Sequence, residues 1–174
     1  MVMKSIRPNS SRRFFHAAID GGLHSVPHAG ETSGPESIRG AIRALRAERI
    51  GHGISVLDDE MLVGELKARD IALEVCLTSN VGIPARVPSI DRHPLPDLMA
   101  AGLTVTINAD VPAIFAAPIA SEYQLARETF GLDDAALAGL AQASVTASFA
   151  DASTKTSLRR AIDRWLGETG NPDR

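Results

Sequence analysis

Arg49-Ile50-Gly51-His52-Gly53 reads as a short strand that carries a histidine to its C-terminal end, between two glycines that let the chain turn there. The same design recurs along the chain. Residues 23–28 form an extended run ending on His28, residues 71–76 form a near-continuous apolar strand followed by Thr78-Ser79-Asn80, and residues 103–107 lead into Asn108-Ala109-Asp110. Helical spacings separate these runs. Pro35 suits a first helical turn ahead of Ile38, Ala41, Ile42 and Leu45; Met61, Leu62 and Leu66 mark a second helix; residues 94–101 give a third, stopped by Gly102. A helix over residues 12–20, stopped by Gly21-Gly22, precedes the first unit. Helices over 119–130, 135–142 and 157–166 follow the last unit, with Trp165 expected to pack the final helix down. Strand alternating with helix predicts an α/β fold with a parallel sheet, its apolar strands buried on both faces.

The 174 residues are enough for one core of ordinary size and too few for two. With 44% hydrophobic and 22% charged residues the chain reads as globular, and a net charge of −3 offers no basic field for nucleic acid or an acidic membrane. Cys76 is the only cysteine, which excludes an internal disulfide and a cysteine zinc cluster and points to a reducing, cytoplasmic location. Lys4, Arg7, Arg12 and Arg13 resemble the start of a signal peptide, but Ser5, Pro8, Asn9, Ser10 and Ser11 break up the apolar core that should follow. The expected organisation is a flexible tail over 1–11, one domain over 12–168 and a short C-terminal tail over 169–174.

The chemistry gathers at the predicted strand ends. Taken singly, each candidate has a plain structural reading. His28 could be a hydrogen-bonded core histidine, Glu31 a carboxylate favoured near a helix start, His52 a turn residue and Asp110 a helix cap before Pro112. Their regular fall on consecutive strand ends favours a site, because the C-terminal ends of the strands form the catalytic face of a β/α barrel. Imidazole and carboxylate are suitable zinc ligands, and zinc lowers the pKa of a water it holds. A neighbouring carboxylic acid can protonate a ring nitrogen while that water attacks the adjacent carbon, with a second histidine or an aspartate to hold and deprotonate it. Hydrolytic deamination of a purine requires this set of groups.

From residue 12 to residue 166 the chain resembles the C-terminal half of the adenosine deaminase family. The resemblance is carried by His28-Ala29-Gly30-Glu31, Ser33-Gly34-Pro35-Glu36, Arg49-Ile50-Gly51-His52-Gly53, Glu74-Val75-Cys76 with Thr78-Ser79-Asn80, and His93-Pro94 leading to the segment 105–112. Ser121-Glu122-Tyr123 and the run 144–149 also fall where the family has similar text. The resemblance implies strands 5 to 8 of a (β/α)8 TIM barrel of the metal-dependent hydrolase type, with extra C-terminal helices. It implies His28 and Asp110 as zinc ligands and Glu31 as proton donor to purine N1. His52 would orient the attacking water and help to deprotonate it, and Gly30 would be a substrate-binding position. The implied reaction is removal of the 6-amino group of a purine nucleoside or nucleobase, giving inosine or hypoxanthine plus ammonia, in purine salvage.

Two departures qualify that expectation. The family's first strand carries a His-x-His pair of zinc ligands, and this chain contains no His-x-His. Val111 stands where the family usually has a second aspartate that hydrogen-bonds the purine. A complete site would hold one zinc ion, and binding by this chain alone is expected to be weak or absent. The alternative reading is a truncated, catalytically inactive half barrel, or an interaction module that self-associates through exposed sheet edges.

Overall fold

The structure, a computed structural model, describes residues 8–82 and 87–169. Four strands, β1 (His28–Ala29), β2 (Arg49–His52), β3 (Ala72–Val75) and β4 (Val105–Ile107), form one parallel sheet in the order β1-β2-β3-β4. Sequential order with parallel pairing is what consecutive βα units give. The helices are α1 (Pro8–Asp20), α2 (Pro35–Leu45), α3 (Glu60–Ala68), α4 (Leu77–Gly82), α5 (Leu95–Ala100), α6 (Pro112–Phe115), α7 (Ile119–Phe130), α8 (Asp134–Ala147) and α9 (Ala152–Thr169). Among the described residues, no helix is long and apolar enough to cross a membrane.

The register separates the sheet into two unlike faces. Ile50 pairs with Leu73, Leu73 with Val105 and Val75 with Ile107, so these five side chains share one face and are all buried. Ile38 and Ile42 of α2, Leu62 and Leu66 of α3 and Leu98 of α5 join them in the core. Positions of opposite parity carry Arg49, Gly51, Glu74 and Thr106. Burial on both faces by apolar side chains, the expectation from the sequence, therefore holds for one face only. The other is a polar layer in which Arg49 Nε lies 2.8 Å from Glu74 Oε1.

Several predicted elements shift for local reasons. The extended run 23–28 pairs only from His28, because Pro27 has no N–H to donate, although its carbonyl accepts from the Gly51 amide at 3.0 Å. The first helix begins at Pro8, so residues 8–11 belong to α1 rather than to a tail; the rest of the predicted N-terminal tail, residues 1–7, lies outside the described residues. At the other end α9 runs to Thr169, and 170–174 lie outside them too. Asp133 accepts from the Ala136 amide at 2.8 Å and Asp151 from the Thr154 amide at 2.8 Å, which starts α8 and α9 earlier than apolar spacing suggests. Trp165 is 40% exposed and lines an open groove with Tyr123, Leu158 and Ile162 instead of sealing α9 down.

Candidate active site

One row of the sheet builds the floor of the site. His28 is in register with Gly51, Gly51 with Glu74 and Glu74 with Thr106. Gly51 is required by its neighbour: a Cβ there would meet His28 Cδ2 at 2.5 Å, so the glycine lets the imidazole lie across β2. Gly53 has a different reason, since its φ is +70° and a Cβ would strike Leu73 Cδ2 at 2.4 Å. Both glycines of the motif that decides the fold are thus accounted for, one by the site and one by the core.

At the strand ends the backbone takes the left-handed region at two residues that are not glycine, His52 (φ 64°) and Asp110 (φ 51°). Each such placement costs on the order of 1 kcal/mol. There His28, His52 and Asp110 each offer a ligand atom, all within 4.8 Å of one another. The two imidazoles meet edge to face, with ring centres 4.8 Å apart, and His52 Nε2 lies 3.2 Å from His28 Nδ1.

Glu31, on the loop after β1, reaches the same place. Its Oε1 is 3.6 Å from His52 Nε2 and is buried without a hydrogen-bond partner. Burial first, and then the negative charge of Asp110, raise its pKa above the ordinary carboxylate value, against an opposing pull from His28. His52 moves the other way: burial, reinforced by His28 and opposed by Asp110, pushes it down to about 4. An acid inclined to keep its proton therefore stands beside an imidazole inclined to stay neutral. Cys76 also lines this pocket, but burial pushes its thiol up to about 12, so it stays protonated at neutral pH.

The imidazole of His28 and the carboxylate of Asp110 fit the donor preferences of zinc, with His52 close beside them. The structure brings together all four residues singled out at the strand ends. Gly30, the expected substrate-binding position, has its N–H on Ser37 Oγ at 2.8 Å, and its carbonyl accepts from Ser55 N at 3.0 Å. A Cβ there would meet Ile38 Cδ1 at 2.5 Å at a φ of +70°, so packing and backbone conformation both require glycine at this position. Val111, at the start of α6, leaves its side chain 41% exposed and meets no polar partner in the role expected of an aspartate.

Thr78-Ser79-Asn80, read from the sequence as a strand-end loop, lies instead within α4. Buried Glu122 of α7 accepts from the Thr78 amide at 3.1 Å and from its hydroxyl, which fixes the start of that helix. Asn80 Nδ2 is 2.9 Å from His52 Nδ1, and its Oδ1 is 3.1 Å from His93 Nε2. Asn80 and His93 back the site through His52, a link the sequence signalled only by Thr78-Ser79-Asn80 after a strand and by His93-Pro94 ahead of a helix.

The sequence profile described as "Adenosine deaminase" matches residues 4–165. The chain belongs to the adenosine deaminase family. Within that family it is 47% identical over 152 residues to the aminodeoxyfutalosine deaminase of Streptomyces avermitilis, an alignment covering 87% of this chain and 42% of that protein. The solved adenine deaminase of Arthrobacter aurescens superposes with a TM-score of 0.91 at 31% identity, over 96% of this chain and 51% of that one. An amidohydrolase from Burkhoderia ambifaria, solved with bound Zn, shares the fold at a TM-score of 0.85 and 22% identity, over 97% of this chain and 48% of its own. The chain thus spans about half the length of these relatives, and its four-stranded parallel sheet is part of the family's TIM barrel.

Proposed function

We propose that the chain carries the acid–base half of a metal-dependent purine deaminase site, acting on a purine nucleoside or nucleobase. The observation that carries this reading is Glu31. A carboxyl with a raised pKa and an unpartnered buried oxygen sits beside a neutral histidine and a nitrogen–oxygen donor cluster. Such a carboxyl keeps its proton more readily than an ordinary one and is placed to deliver it to a ring nitrogen.

Zinc held by His28 and Asp110 would supply an acidified water at neutral pH. His52 faces the place where the attacking oxygen must sit and orients it. As that oxygen bonds to the purine carbon bearing the amino group, Glu31 protonates the adjacent ring nitrogen. The proton that the attacking water gives up is taken by Asp110 and passed to the amino group, the carbon–nitrogen bond breaks, and that group leaves as ammonia. Exposed Val111 leaves purine recognition to other residues, since it cannot hydrogen-bond the ring.

Because the sequence has no His-x-His, the reading requires a polypeptide segment that brings such a pair to the open sheet. Mixing the chain with a fragment carrying the first four strands of a family barrel and added zinc is expected to convert adenosine or adenine, read by the change in ultraviolet absorbance. The chain alone is expected to be inert. Glu31→Gln should lower the rate of the mixture at least ~100-fold. Turnover indifferent to Glu31→Gln, or none from any such mixture, would sink the proposal.

A further inference from the structure

We propose that Asn80 and His93 are positioning residues that fix the tautomer of His52, so that it presents an N–H, and not a bare nitrogen, to the site. The inference rests on the reading of His52 as the residue that meets the attacking oxygen.

The chain of bonds starts at a group whose role cannot be reversed. Leu95 N is a backbone amide at the start of α5, one of the donors that a helix leaves without an internal partner. It donates to His93 Nδ1 at 3.0 Å, so that nitrogen must be unprotonated. A neutral imidazole then carries its hydrogen on Nε2. His93 Nε2–H donates to Asn80 Oδ1 at 3.1 Å, which settles the orientation of the amide. The NH2 of Asn80 is left facing His52 Nδ1 at 2.9 Å, and His52 must accept. Its hydrogen is therefore on Nε2, the nitrogen that points at His28 Nδ1 and Glu31 Oε1.

All three side chains are buried, His52 and Asn80 at 1% exposure and His93 at 3%. Reversing any one member would set two donors or two acceptors against each other away from solvent, which native proteins avoid. Burial also holds His93 neutral, its pKa pushed down to about 4. The relay thus runs from the start of α5 through α4 to the end of β2. It makes His52 a hydrogen-bond donor to the attacking oxygen in its resting state, whereas the family resemblance alone suggests a group that also takes the proton.

The test is the tautomer itself, read on the full chain labelled with 15N in its histidine rings, at pH 8, by long-range proton–nitrogen correlation. His52 and His93 are each expected to show a protonated Nε2 and a bare Nδ1. Asn80→Asp is nearly isosteric but offers only acceptors, and should move the His52 hydrogen to Nδ1. His93→Gln keeps an N–H donor and should leave His52 as it was; His93→Leu frees the amide to rotate and should give a mixture. A bare Nε2 on His52 in the unaltered chain overturns the relay without any variant having to fold. So does an unchanged tautomer in Asn80→Asp. In the reconstituted mixture Asn80→Asp should lower kcat about 10- to 100-fold. The tautomer is read without turnover, so the relay can stand while the deaminase reading falls, and the reverse.

Discussion

The two faces of this sheet follow opposite rules. On one, Ile50, Leu73, Val75, Val105 and Ile107 are packed against helices, and almost any well-fitting apolar set could serve. On the other, each residue is answerable to a particular neighbour: Gly51 to the His28 ring, Arg49 to Glu74, Thr106 Oγ1 to the Leu73 carbonyl at 3.2 Å. The contrast teaches that the core sets where the strands lie, while the polar face sets what their ends can hold. Stability should therefore be lost mainly through the first face and chemistry mainly through the second, with buried histidines as the place where the two are coupled.

The largest test of that division is pH. His52 and His93 both have folded pKa values pushed down to about 4 from an ordinary 6.5. The unfolded chain therefore takes up protons first as pH falls. The stability from keeping both rings neutral is fully present above pH 6.5 and drains away towards pH 4, by several kcal/mol in all. Denaturant midpoints across that range should fall steeply, and a His93→Gln variant should fall less; a flat profile breaks the coupling.

Leu73→Ala should cost ~2–5 kcal/mol in chemical denaturation while the His28–His52 ring contact survives in nuclear Overhauser spectra. Gly51→Ala should do the opposite. The new methyl displaces the His28 ring and abolishes that contact, for a stability change of only about 1 kcal/mol. The smallest effect belongs to Glu31. A raised folded pKa means that its contribution is fully present below the unfolded pKa and is lost as pH rises through the folded one. Glu31→Gln should therefore raise Tm slightly at pH 8, by ~1 °C, and leave it unchanged at pH 4. A lower Tm at pH 8 would show that the carboxylate is held by a favourable partner.

Much of the fold was legible because β3 and β4 announce themselves by apolar runs, because glycines bracket the end of β2, and because Pro35 and Gly102 punctuate the helices. His28, Glu31, His52 and Asp110 were legible for a related reason, since a titratable group at each strand end has no packing purpose there. What stayed hidden depended on distance in sequence. Thr78-Ser79-Asn80 has the composition of a loop, and only Glu122, 44 residues further on, makes it a helix. His93 looked like the residue before a proline, and its bond to Asn80 exists only once α4 and α5 are packed. The packing reason for Gly30 was equally hidden, since Ile38 and Ser55, which leave no room for a side chain there, lie 8 and 25 residues away.

The bond between His93 and Asn80 joins positions 13 residues apart and so closes a ring of chain. Closure entropy grows only with the logarithm of ring size, each doubling costing about 0.6 kcal/mol. By closure entropy alone a change in the length of that ring costs little while Asn80 and His93 stay bonded to each other, whereas Val87 within it is tied to the core by burial. A short insertion made in that ring by design should leave His52 facing the same way.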